Sequence, residues 1–364
     1  MSIITTIYSM LVSLQIYFRK LTFSRVVGPK QITWLPITII AYNIDKQFLI
    51  ERMEVIVSKA LPTSVLGRTG LDVTRLSFGA MEIRGPRIWG GRPVTDQQTE
   101  TILNAVLDEG INFIDTANDY GRSEEFIGRY IAHRRKEFYL ATKCGCTVVR
   151  KDENTDDTPH VWTRDNLFRG LEESLQRMKT EYVDIMQLHN PPVDETEKNQ
   201  LVDALKEMQQ QGKVRFISIS TTLPHLPIYL KWGVFDTFQI PYSALERDHE
   251  DWISRAAEAG IGTIIRGGVA RGEAGVGLGN TDRWQKFEEA QLNDLREPGE
   301  SRTAFLLRFT LSHPKVNTII VGTLHPEHLR ENIAAAEKGA LPANVYEEAK
   351  RRLNNIGVTP VQTA

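Results

Sequence analysis

Eight short runs rich in β-branched and aromatic residues recur along the chain, each followed by a longer amphipathic stretch. This alternation limits the fold more than any other feature. Strands joined by crossover helices pair in parallel, and a parallel sheet has to be covered by those helices. The runs are Leu76–Ala80, Asn112–Ala117, Phe138–Lys143, Val183–His189, Val214–Thr221, Thr237–Tyr242, Gly262–Gly267 and Thr318–Thr323. They predict an α/β fold, a (β/α)8 TIM barrel, which takes roughly 250 residues as one domain. Between them, Leu167, Leu171, Leu175 and Met178 share one helical face, as do Leu201, Ala204, Leu205 and Met208, with Gly212 placed to stop the second helix. Pro326 suits the first turn of the eighth helix, and an extra C-terminal helix is expected over Val345–Leu353.

Ahead of the first run, residues 65–73 alternate apolar and polar around a glycine-bearing turn, which predicts an N-terminal β-hairpin plug on the barrel floor. Residues 53–364 are read as the barrel domain and residues 1–52 as a leader of uncertain role. The apolar run from Ile3 to Phe18 is short of the ~20 residues needed to span a bilayer, and nothing frames it as a signal peptide, so a leader is preferred to an anchor. Lys and Arg number 44 against 46 Asp and Glu, a balance with no global attraction for nucleic acid or acidic lipid. Small uncharged partners are expected instead. Cys144 and Cys146, one residue apart, provide neither a secreted disulfide framework nor paired zinc ligands, and a cytoplasmic location follows as the expectation.

In such barrels the chemistry sits where the strands end. The second run ends in Asp115-Thr116-Ala117 and continues into Asn118-Asp119-Tyr120-Gly121, the third ends at Lys143, and the fourth at His189. Hydride addition to a carbonyl makes an alkoxide that needs a proton, and a free tyrosine, with a pKa of about 10, is a weak acid for that task. A Lys143 cation would lower the Tyr120 pKa, Asp115 would keep the lysine charged, and His189 could donate to the carbonyl oxygen. Each residue also has a plain structural role open to it: Asp115 as a turn cap, Lys143 as a solvated charge, His189 as a satisfied histidine. Their coincidence on three adjacent strand ends favours the functional reading.

The run from Asn112 to Gly128, with Asp115 and Tyr120 inside it, resembles the signature of the aldo-keto reductase family, and Lys143 in Ala141-Thr142-Lys143 and His189 in Gln187-Leu188-His189 match that family's lysine and histidine. The resemblance extends over about Leu66 to Ile333. It implies an NAD(P)(H)-dependent oxidoreductase acting on aldehydes, ketones, sugars or their alcohols. It also places nicotinamide near Asp115, Ser220, Thr221, Gln239 and Tyr242, with Tyr242 as a stacking face, and adds Gly79, Ala80 and Met81 at the first strand end. Thr221 stands where an asparagine is usual. Arg266, Gly267, Gly268 and Arg271 resemble the pyrophosphate loop; Gly322, Thr323, His328, Glu331 and Asn332 fall at the adenosine end. NADP(H) is favoured and NAD(H) left open, because Gly322 and His328 replace the usual basic residues, although Thr323, Arg330 or Arg283 could substitute.

Trp89, Trp162 and His189 are expected to line the substrate pocket, although either tryptophan could pack under its own loop. No metal is expected: His325 and His328 lack a spaced carboxylate or cysteine partner. Two rival functions remain at this level. One is a Schiff-base aldolase using Lys143; the other is a cofactor-sensing binding module like the channel β subunits that resemble this family.

Overall fold

In a computed structural model, the structure describes residues 60–275 and 277–361. The leader over residues 1–52 and its boundary at Met53 lie outside the described residues. Strands β1 (Thr63–Val65) and β2 (Asp72–Thr74) pair antiparallel as the expected hairpin. Next come β3 (Leu76–Gly79), β4 (Phe113–Asp115) and β5 (Tyr139–Cys144), then a small antiparallel ribbon, β6 (Val149–Arg150) and β7 (Asp156–Asp157), that the sequence did not announce. The remaining strands are β8 (Val183–His189), β9 (Val214–Ser220), β10 (Thr237–Pro241), β11 (Gly262–Arg266) and β12 (Thr318–Val321).

These eight, β3-β4-β5-β8-β9-β10-β11-β12, close into a parallel barrel in which β12 returns to β3. The fold is thus the (β/α)8 barrel, with every strand within two residues of its expected bounds.

The hairpin fills the floor. Leu66, Leu71 and Val73 pack against Phe113, Ala141, Ile185 and Ile264 inside the barrel, a cluster separate from the main core between strands and helices. The fit depends on glycine. A Cβ at Gly67, whose φ is +50°, would lie 2.1 Å from the Gly262 nitrogen, and one at Gly262 would strike Leu66.

The helices form for local reasons. Thr163 caps Arg164–Met178 by accepting from the Asn166 N–H, and that helix buries Leu167, Leu171, Leu175 and Met178. Each such side chain contributes roughly 1.5–3 kcal/mol on leaving water. Helix Leu201–Gln210 buries its predicted face, and Gly212 follows it with φ +73°. Pro326 opens helix Pro326–Lys338. The final helix, Ala343–Asn355, is longer than expected and buries Tyr346, Ala349 and Leu353 on the outside of the barrel. No helix among the described residues is long and apolar enough to cross a membrane.

Candidate active site

The C-terminal strand ends open into a cavity of 530 Å³. Asp115, the last residue of β4, is buried beneath it. One carboxylate oxygen accepts from Lys143 Nζ at 2.6 Å, and the other accepts from Nε2 of Gln187 at 2.7 Å and of Gln239 at 2.8 Å. A buried ion pair survives only if its remaining polar atoms are satisfied, and the two glutamine amides do this for Asp115. Lys143 Nζ also donates to the Thr116 carbonyl at 2.9 Å and lies 4.8 Å from the centre of the Tyr120 ring. Burial alone would pull the lysine pKa down, but the carboxylate of Asp115 and the phenol of Tyr120 hold it above its ordinary value. An amine held protonated is no nucleophile, which counts against the Schiff-base alternative.

Burial pushes the Tyr120 phenol above the ordinary tyrosine range; Lys143 pulls it down, while Asp115 and Asp119 add to the rise. The lowered pKa expected from sequence is therefore corrected in sign. The lysine acts as anticipated, but desolvation of the ring outweighs it. Tyr120 therefore keeps its proton at neutral pH.

His189 closes β8 with its ring 6.1 Å from that of Tyr120, edge to face. Its Nδ1 lies 3.2 Å from Cys146 Sγ and 3.4 Å from an Asp119 carboxylate oxygen. The structure thus brings Asp115, Tyr120, Lys143 and His189 to one rim.

The two tryptophans part company. Trp89, with φ +48°, stands half exposed over the cavity, its ring 5.9 Å from Tyr120 and at a steep angle to it. Trp162 does not line the cavity: it stacks on His160 and fills the space that a side chain at Gly145 would take.

The expected dinucleotide residues divide as well. Gly79, Met81, Ser220, Gln239, Arg266, Gly267, Arg271, Gly322, Thr323, His328, Glu331 and Asn332 all line the cavity. Ala80, Thr221, Gly268 and Tyr242 do not. The Ala80 side chain is in the core, and its carbonyl accepts from Ser123; Thr221 is buried and donates its N–H to the Gln239 carbonyl. A Cβ on Gly268 would press into Ile319 of β12. Tyr242 is wholly buried among Phe309, His313 and Tyr346, its hydroxyl 3.3 Å from that of Tyr346. Strand residues alternate faces, so Gln239 and Pro241 point into the cavity and Tyr242 points out to the helices. Accordingly, Tyr242→Phe should leave cofactor affinity within twofold in a fluorescence titration, while costing about 1 kcal/mol of stability for the lost hydrogen bond.

Two contacts differ in detail. Gln239 spends its amide N–H on Asp115, leaving the amide oxygen for a ligand, and the Ser220 hydroxyl donates to Asn190 Oδ1 at 3.0 Å. Of the basic substitutes, Arg283 is ion-paired with Glu246 at 2.7 Å, and Arg330 is exposed away from the cavity. Sequence reasoning missed Gln187 and Asn190 as supports of the site. Gln187 had a signal, since it is the polar residue two before His189 on an apolar strand and therefore shares its face.

A parallel barrel with its polar rim at the C-terminal strand ends has the layout of a TIM-barrel enzyme. The chain belongs to the aldo/keto reductase family, whose sequence model matches residues 75–353, and it is an oxidoreductase of that family. It is 28% identical over 292 residues to the uncharacterized oxidoreductase YqkF of Bacillus subtilis, covering 74% of this chain and 90% of the relative. Against the NADH-specific methylglyoxal reductase of Escherichia coli it is 27% identical, covering 74% and 92%. Among solved structures it resembles the holo form of aldo-keto reductase AKR11C1 from Bacillus halodurans, with TM-score 0.70, 26% identity and coverage of 80% and 96%.

Proposed function

We propose that this chain reduces aldehyde or ketone carbonyls to alcohols, or runs the reverse, using NAD(P)H. The observation that carries the reading is a buried Tyr120 beside Lys143, itself paired with Asp115, at the floor of a cavity edged by Trp89. Bound there, the reduced nicotinamide would supply hydride to the carbonyl carbon. Tyr120 donates its proton to the oxygen as negative charge builds on it. The Lys143 cation then stabilises the tyrosinate left behind, and Asp115 holds the lysine in place. His189 orients the carbonyl. If the Cys146 thiol donates to Nδ1, the imidazole keeps its N–H on Nε2 to offer to that oxygen.

The cavity fits a dinucleotide. Arg266 at the end of β11 has a buried Nε with no hydrogen-bond partner, and its planar guanidinium offers the flat stacking surface that Tyr242 does not. Gly267, Ala270, Arg271 and Gly272 have φ values of +73°, +48°, +65° and +79°. Two of these are not glycine, so the loop stores strain where Gly267, Arg271 and Gly272 line the cavity, with the Arg271 cation to meet an anion. At Gly322 any side chain would collide with the Gly79 carbonyl and Glu82, so the strand end stays open for the adenosine half. NADP(H) is the favoured cofactor, with Arg271 and His328 available to a 2′-phosphate. The Arg283–Glu246 pair and the NADH-specific relative keep NAD(H) in the comparison. A small carbonyl partner and a cytoplasmic location belong to the same reading.

Fluorescence titration with NADPH and NADH, followed by turnover on small aldehydes, tests it: saturable binding with cofactor consumption is expected, and binding of neither cofactor would overturn it. The raised phenol pKa gives a second expectation. A general acid works while protonated, so kcat/KM for reduction should stay level from neutral pH to about pH 9 and fall only above it. A decline beginning near pH 7 would contradict Tyr120 as the donor.

A further inference from the structure

Among the described residues one trio of metal-ligating side chains converges: atoms of Cys146, His160 and His189 all lie within 4.8 Å of one another. We propose that these three residues bind a soft divalent cation, of which Zn²⁺ is the best fit, behind the carbonyl-binding rim.

The geometry is close to what zinc requires. Zn–S and Zn–N bonds of about 2.3 and 2.0–2.1 Å set tetrahedral ligand atoms roughly 3.3–3.6 Å apart. Cys146 Sγ and His189 Nδ1 are already 3.2 Å apart. His160 is the exposed member of the trio, its ring stacked on Trp162, and a small movement of that ring closes the remaining gap. The backbone keeps it near, because residues 146 and 160 form an isolated antiparallel bridge, and its ring meets that of His189 edge to face at 5.8 Å.

A second observation points the same way. Asp119 is 1% exposed, and its carboxylate lies against both His189 and Cys146. Yet its Oδ1 has no hydrogen-bond partner. An unsatisfied buried carboxylate beside the thiol and the His189 imidazole is an anionic support for a cation held there. Cys146 also lines a second cavity, of 400 Å³, together with Asn118 and Asn166, which provides a way in.

Binding replaces the thiol S–H bond with an S–Zn bond and releases that proton to solvent, with no change of oxidation state. The cation takes Nδ1 of His189, so the ring's remaining proton sits on Nε2, the tautomer that can donate to a carbonyl. The metal would therefore hold the imidazole in its donor form.

The test uses the metal-stripped full chain and Co²⁺, a coloured probe for the zinc site, followed by displacement with Zn²⁺. One Co²⁺ per chain is expected, with a thiolate-to-metal charge-transfer band and tetrahedral visible bands, all lost on adding Zn²⁺. Cys146→Ser should abolish the charge-transfer band, Cys144→Ser should leave it, and His160→Gln, a surface change, should weaken binding at least tenfold. A wild-type protein with no thiolate band, or one whose affinity is unmoved in His160→Gln, would overturn the proposal. None of these readouts needs turnover, so a failed reductase assay and a failed metal site are told apart.

Discussion

Replacing Tyr120 with phenylalanine is expected to lower kcat for carbonyl reduction by roughly two to four orders of magnitude, the usual weight of a positioned general acid. The ring stays, so its contact with Trp89 and its packing over Lys143 survive. Only the proton donor is lost. Dissociation constants for NADPH and NADH should stay within a few-fold of wild type, since the hydroxyl is not needed to hold a dinucleotide. Turnover assays run beside the cofactor titration check both halves. Retained turnover would remove Tyr120 from the mechanism, whereas loss of cofactor binding would make it a structural residue.

The second large effect concerns stability as well as rate. Asp115→Ala should destabilise the fold by about 3–5 kcal/mol, because it strands the buried Lys143 cation and leaves two glutamine amides without their acceptor. Equilibrium urea unfolding measures this. Adding Lys143→Met to that variant removes the orphaned charge and should restore part of the stability while reduction stays abolished. If the double variant is no more stable than the single one, burial of an unpaired charge is not the cause. Asp115 is in this sense a support for the lysine and, through Gln239, a link from β4 to β10 across the rim.

The barrel was legible because a period-two or fully apolar strand followed by a helix of period 3.6 is a local pattern, repeated often enough to define closure. The four rim residues were legible for a related reason: each sits at a strand end, and strand ends in a parallel barrel meet. What stayed hidden depends on which way a side chain points. Tyr242 follows a strand by one residue, and one residue is enough to turn it from the cavity to the helix layer beneath Tyr346. Trp162 occupies space left open by Gly145, a contact that neither local sequence announces. The sign of the Tyr120 shift was hidden too, because a list of neighbouring charges says nothing about how completely the ring is desolvated. Cys146 and His160 come to His189 through the β5–β8 connection, whose short ribbon carries no period to read, and Asp119 joins them from the loop after β4.

Hydride transfer itself is the most direct point of attack. The purified chain would be incubated with an aldehyde and NADPH or NADH deuterated at nicotinamide C4, and the alcohol analysed by mass spectrometry. Deuterium on the carbinol carbon, with one cofactor oxidised per alcohol formed and no label in the Tyr120→Phe reaction, is the expected result. Cofactor bound but never oxidised, or aldehyde trapped on the protein by borohydride, would contradict the reductase reading.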